Sequence, residues 1–185
     1  NVELLASASF PEFDNNIFAR GISVKEWNEM RNDFNHPFTN KIINGLYPPG
    51  SVIKMGVALS FLDNGIGDNY NVNCSGSLPI GNRNFRCWKS TGHGSVNFRK
   101  AIAESCDDFF YKGSLKLGIN KISQTLEKLG FGESTGIDQI NEFVGVNPNK
   151  EWKEKKYKEP WYVGETVITS IGQGNMLVTP LQIAR

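Results

Sequence analysis

No apolar run in this chain approaches the ~18–20 residues that a bilayer-crossing helix needs, and no signal peptide is visible. Charge is close to balanced: a formal net charge of +1 implies no acidic polymer as partner. Cysteine and histidine are scarce, at three and two residues, and no tight C-x-x-C knuckle occurs. The first residue is Asn1 rather than Met, and Val2-Glu3-Leu4-Leu5-Ala6 reads as a strand already under way. The chain therefore reads as a piece of something longer, and the lack of an anchor or export signal says nothing about compartment. What remains, 185 residues, is room for one domain with a core and too little for two.

The chemistry gathers on Tyr47-Pro48-Pro49-Gly50-Ser51-Val52-Ile53-Lys54. Two prolines hold an extended approach, a glycine permits the sharp turn, and Ser51 opens a run with helical character. Lys54 lies one turn on, which puts its amine on the face of the Ser51 hydroxyl. From Val52 to Leu62 the helix is apolar nearly all round, with Lys54 its only charge, and such a helix is expected to be buried. A lysine buried there must find a carboxylate or lose its proton, and a neutral lysine beside a serine is a general base beside a nucleophile. A lone Ser-x-x-Lys arises often by chance with the lysine solvated. The all-apolar helix and the Pro-Pro-Gly entry favour the catalytic reading.

Elsewhere the signals are local. Residues 1–10 give a short strand that Pro11 and Asp14 end. Ser23 with Glu26 makes a capping box for a short helix, and residues 32–45 read as loop wrapped over the core. The central helix ends at Asp63-Asn64-Gly65. Gly65 to Asn97 has no sustained period, and an irregular segment of that length needs a tie. All three cysteines and one histidine fall between Cys74 and Cys106: Cys74, Cys87, His93 and Cys106. Three thiolates and an imidazole form a full tetrahedral set for structural zinc. The alternatives are buried thiols with no ligand role, or one disulfide and a leftover cysteine.

After Asn97 helix returns, leading to Ser105-Cys106-Asp107, a turn that displays Ser105 and Asp107 ahead of an aromatic-rich helix that Asp107 would N-cap. Residues 119–129 place Ile119, Ile122, Leu126 and Leu129 on one face of an amphipathic helix. The lysines between Asn147 and Glu159 are interleaved with glutamates, the mark of a solvated face and not of a nucleic-acid patch. Thr179-Pro180 starts a last helix that is cut off at Arg185, which again suggests a fragment.

Taken in order, Tyr-Pro-Pro-Gly-Ser51-Val-Ile-Lys54, Ser105-Cys-Asp107, Trp161-Tyr-Val-Gly-Glu-Thr166, Gly172-Gln-Gly174 and Thr179-Pro-Leu-Gln182 resemble the transpeptidase domain of class B penicillin-binding proteins, nearest their elongation-specific branch. The resemblance covers essentially the whole chain. It implies an α+β penicillin-binding/β-lactamase-like fold, an antiparallel sheet flanked by helices, present here as a largely helical fragment. Residues 1–185 would be a partial transpeptidase domain without the C-terminal strands, an N-terminal anchor or a pedestal domain. It further implies a serine D,D-transpeptidase that cross-links peptidoglycan stem peptides, is a target of β-lactams, and works at the periplasmic face of the inner membrane. Partners through the full-length protein would be elongation scaffold proteins and a membrane glycosyltransferase; no nucleic acid is implied. Ser51 would be the nucleophile, Lys54 its base, Ser105 a proton relay and Asp107 the holder of Lys54.

Two departures stand out. Asp107 occupies the position of the motif's usual Asn, which keeps an acceptor for Lys54 but loses an amide donor to substrate. No Lys-Thr-Gly occurs, so the fragment alone is expected to be inactive. Competing readings are a serine β-lactamase, a penicillin-sensing domain, and a non-catalytic zinc-stapled binding module. Against the β-lactamase, no Glu-x-x-x-Asn element follows Ser105 to hold a deacylating water.

Overall fold

The prolines and glycine before Ser51 lead into a 3-10 turn, Gly50–Ile53, that runs directly into helix α4, Lys54–Asp63. In this computed structural model, which describes residues 4–67 and 69–185, three helices precede it: α1 Asn16–Ala19, α2 Val24–Arg31 and α3 Lys41–Asn44. The capping box of Ser23 and Glu26 starts α2 as expected. The segment 32–45 is not all loop, because Asn40 accepts from the Ile42 N–H and caps α3. Residues 4–10 form no strand, and 1–3 lie outside the described residues. A strand needs a ladder partner, and none is paired with Leu4 to Phe10 among the described residues.

The core sits where α4 meets α6 (Asp107–Leu117) and α7 (Ile119–Lys128). Two glycines let these helices approach closely. A Cβ on Gly56 would lie 2.7 Å from Leu126, and one on Gly113 would overlap the Phe61 ring. Phe61, Phe98, Phe109 and Phe110 fill the crossing, with the rings of Phe98 and Phe109 5.0 Å apart. The central helix is not buried all round. Lys54, Val57, Ala58 and Phe61 face the core, whereas Val52, Met55, Leu59 and Leu62 form an open stripe, Met55 at 60% exposure. An all-apolar sequence carries no information about which side its neighbours take. Leu129, expected on the buried face of α7, falls just past the helix end and is exposed.

The segment 65–97 is ordered by two antiparallel pairs. Strand β1 (Val72–Cys74) pairs with β4 (Gly94–Val96) in the register Cys74 to Gly94, and β2 (Ser77–Ile80) forms a hairpin with β3 (Arg83–Arg86). Strands of three and four residues are too short to display a period of two. Helix α5 (Phe98–Ala103) follows, then α6 and α7. Helix α8 (Lys150–Tyr157) carries the lysine-rich run, and one of its lysines departs from the solvated reading: Lys153 is buried, 2.7 Å from both oxygens of Glu165 on α9 (Val163–Thr169). Helix α10 (Pro180–Ala184) starts with the Thr179 cap closed by Gln182.

Candidate active site and metal cluster

Backbone pairing fixes the nucleophile turn before any side chain contributes. Tyr47 exchanges both backbone hydrogen bonds with Val178 at 2.9 Å, and the Gly50 N–H donates to the Gly172 carbonyl at 2.9 Å. Gly172 has φ +72, and a Cβ there would collide with the Gly50 backbone. The Gly-Gln-Gly segment is thus the surface on which the Ser51 turn rests, which explains its glycine.

Ser51 is exposed on the 3-10 turn, and Lys54 is the first residue of α4. Residues three apart eclipse in a 3-10 turn, so Lys54 lies directly beneath Ser51. The residue is buried, and its amine donates to the Ser105 carbonyl (2.8 Å), the Ser105 Oγ (2.9 Å) and Asp107 Oδ1 (2.5 Å). Three acceptors match the three donors of an ammonium. The hydroxyl of Ser105 stands between the lysine and the nucleophile, donating to Ser51 Oγ at 3.0 Å. Lys54 therefore reaches Ser51 through Ser105 rather than directly.

Asp107 is the first residue of α6 and not its cap, which is Cys106. Its carboxylate points back into the site, where Oδ2 also accepts the Trp88 backbone N–H at 2.9 Å. Ser51, Ser105 and Asp107, with Lys54 buried behind them, open onto a cleft of about 420 Å³ that Trp88, Ile171 and Gln173 also line. Trp88 and Ile171 were not singled out from the sequence, and Gln173 entered only as the middle of the Gly172-Gln-Gly174 motif, with no place in the site. Trp88 could have been, since it follows Cys87 directly.

Behind this turn the four expected ligands converge. Cys74, Cys87, His93 and Cys106 are all buried, and their ligand atoms lie within 4.8 Å of one another. His93 Nδ1 is 3.5 Å from both Cys74 Sγ and Cys87 Sγ. All three cysteines are free thiols, so the disulfide alternative is not formed. The irregular segment is gathered by these residues: β1 contributes Cys74, the loop after β3 Cys87, and the turn before β4 His93. Burial pushes the Cys106 thiol up to about 12, against a smaller opposite pull from the Phe109 backbone. A thiol so placed becomes a thiolate by meeting a cation. His93 Nε2 is buried without a hydrogen-bond partner and lies 3.9 Å from Glu104 Oε2. That leaves Nδ1 for a metal and turns Nε2 toward a carboxylate, the usual outer arrangement of a ligating histidine. The donor set fits a tetrahedral metal ion.

Against known proteins, the family described as penicillin binding protein transpeptidase domain matches residues 1–185. Peptidoglycan D,D-transpeptidase MrdA of Acinetobacter baumannii is 42% identical over 185 residues, covering 98% of this chain and 28% of that protein. Among solved structures, the complex between penicillin-binding protein PBP2 and MreC from Helicobacter pylori superposes with a TM-score of 0.94 at 49% identity, covering 99% of this chain and 35% of that one. Pseudomonas aeruginosa PBP2 in complex with WCK 5153 gives a TM-score of 0.88 at 40% identity, covering 96% of this chain and 39% of that one. The chain thus spans less than a third of the A. baumannii relative.

Proposed function

The chain belongs to the penicillin-binding protein transpeptidase family, and from that premise we propose that it carries the acylating serine of a peptidoglycan D,D-transpeptidase. Its α+β fold is the transpeptidase fold that the sequence resemblance implied. The observation that carries the functional reading is the hydrogen-bonded line from Asp107 through Lys54 and Ser105 to Ser51 at the floor of an open cleft.

In this reading Ser51 Oγ attacks the carbonyl of a D-Ala-D-Ala peptide, the acyl–nitrogen bond breaks, and D-alanine leaves. An amine of a second stem peptide then takes the acyl group from Ser51. In the resting geometry all three protons of Lys54 are engaged and Ser105 donates to Ser51. Activation therefore requires Lys54 to pass one proton to the Asp107 carboxylate it touches and the Ser105 hydroxyl to turn round. Ser105 then accepts from Ser51, donates to Lys54, and returns a proton to the leaving amine. The Ser51 backbone N–H supplies one oxyanion donor. A second donor and the substrate-carboxylate site, which the family builds on Lys-Thr-Gly, are assigned to sequence outside the 185 residues. The full-length protein should release D-alanine from a D-Ala-D-Ala stem peptide and form cross-links. The Ser51→Ala variant should do neither, and activity retained in that variant would end the reading.

The buried Cys3His cluster is assigned to structural zinc. Thiolate and imidazole donors suit it, and four protein ligands leave no open position for catalysis. Zinc there would hold Cys87 and Cys106, and with them the residues that flank them. Elemental analysis of chelator-free protein should give one zinc per chain, and its absence would sink the assignment. We further propose that the working protein acts at the periplasmic face of the inner membrane, with β-lactams as inhibitors. Elongation scaffold proteins and a membrane glycosyltransferase are its proposed partners, and the complex of H. pylori PBP2 with MreC supports a protein partner of this kind. No helix among the described residues is long and apolar enough to cross a membrane. Fractionation of cells expressing the full-length protein tests the placement.

A further inference from the structure

We propose that Trp88 is a positioning residue for acylation, its indole N–H fixing the backbone of Ser105 so that the Ser105 hydroxyl stays between Lys54 and Ser51; this rests on the transpeptidase reading above. Trp88 is 65% exposed, so burial does not hold it in place. Polar bonds do. Its Nε1–H reaches the carbonyls of Glu104 (3.0 Å) and Ser105 (3.1 Å), and its backbone N–H reaches Asp107 Oδ2 (2.9 Å). All three bonds land on the single turn that carries Ser105 and Asp107. The indole and His93 rings meet edge to face with centroids 5.2 Å apart, and Trp88 borders the cleft beside Ser51.

That turn needs holding. Ser105 has φ +49, a left-handed conformation that residues other than glycine rarely adopt. Its carbonyl accepts from both the Lys54 ammonium and the Trp88 indole, which occupies both of its lone pairs. With the indole N–H gone, Lys54 is the one remaining donor to that carbonyl among the described residues, and the peptide keeps only the Cys106 N–H bond to the Ala101 carbonyl (3.0 Å) besides, so a rotation of the turn carries Ser105 Oγ with it. That atom sits 2.9 Å from Lys54 and 3.0 Å from Ser51, the two contacts on which the proton route depends. The loss should therefore fall on the covalent step, because the bonds that Trp88 makes go to the turn carrying the proton route.

The test measures acylation of the full-length protein by a fluorescent penicillin over a range of concentrations. This separates the first-order acylation constant from the dissociation constant of the complex that precedes it. Trp88→Phe keeps an aromatic ring and removes the donor. The first-order constant should fall about five- to tenfold, the worth of one such bond. The dissociation constant should stay within about twofold, with zinc content and thermal midpoint unchanged. Loss of initial binding with the first-order constant intact would make Trp88 a cleft wall and overturn the proposal. A fall in both constants together with lost zinc or a lower midpoint would make its role structural and overturn it too. A readout independent of activity is hydrogen exchange of the Trp88 indole, which should be slow despite its exposure; fast exchange overturns the proposal. If the wild type is not acylated, the transpeptidase reading fails and takes this proposal with it. A wild type that acylates normally beside a Trp88→Phe variant that acylates as fast overturns this proposal alone.

Discussion

Replacing Lys54 by Met probes both the stability and the chemistry of the site. The side chains of Lys54 and Asp107 are 3% and 11% exposed, and they meet at 2.5 Å. Removing the lysine leaves the Asp107 carboxylate buried with the Trp88 N–H as its remaining bond among those described. Breaking a buried pair from one side costs about 3–5 kcal/mol. For a chain of this length that corresponds to a fall of roughly 6–20 °C in melting temperature. Asp107→Asn should cost less, about 1–2 kcal/mol, since an amide oxygen still accepts from Lys54 and two acceptors on Ser105 remain. The double variant Lys54→Met with Asp107→Leu should lose less than the sum of its single variants, because neither charge is then orphaned. Urea unfolding of wild type, Lys54→Met, Asp107→Leu and the double variant, with metal content held equal, measures the coupling. A Lys54→Met variant within about 1 kcal/mol of wild type would refute the reasoning, since it would show that the ion pair is not sealed from water.

Other consequences follow from particular contacts. If the Cys3His group holds the proposed zinc, chelation should make all three cysteines reactive to a thiol reagent and lower the melting temperature; thiols that react equally fast before chelation would argue that no metal is held. Gly113→Ala should destabilise by about 1–3 kcal/mol through overpacking against the Phe61 ring, measured by denaturant unfolding, and a neutral effect would mean that α4 and α6 are not in tight contact. Burial raises the Glu142 carboxyl, but bonds from Ser134, Thr135 and Gly136 outweigh it and hold it below the usual carboxylate range. Its contribution is therefore complete above the unfolded carboxyl's titration and fades as pH falls through the folded one. The stability gap between wild type and Glu142→Gln should be widest near neutral pH and close below about pH 4. A gap that does not change with pH would exclude this.

What could be read from the sequence was local or chemical. The caps at Ser23 and Thr179 need only residues three apart, and both are formed. Ser51 and Lys54 came from motif spacing, Ser105 and Asp107 as site residues from the family resemblance, and the Cys3His set from a count of scarce residue types; both sets converge in space. What stayed hidden depends on partners distant in the chain. The strands between Val72 and Val96 are too short to announce themselves and are organised by the buried cluster. Lys153 looks like every other lysine in its run until Glu165 and the face of Tyr162, 4.3 Å from its Nζ, enclose it. The open stripe of α4 was unreadable because all its faces are equally apolar. The aromatic group of Phe13, Phe18, Trp27 and Phe38, with Phe13 and Phe38 4.8 Å apart, also escaped notice, since its members come from different helices and loops. The indirect path from Lys54 to Ser51 needed the left-handed turn at Ser105, which no spacing rule encodes.

The central claim is that Ser51 is the nucleophile, and peptide mapping of the full-length protein after brief exposure to a penicillin tests it most directly. Trypsin should release the segment from Ile42 to Lys54 carrying one penicilloyl group on Ser51, and Ser51→Ala should carry none. A penicilloyl group on any other residue, or an unmodified Ser51 in folded, metal-replete protein, would contradict the account.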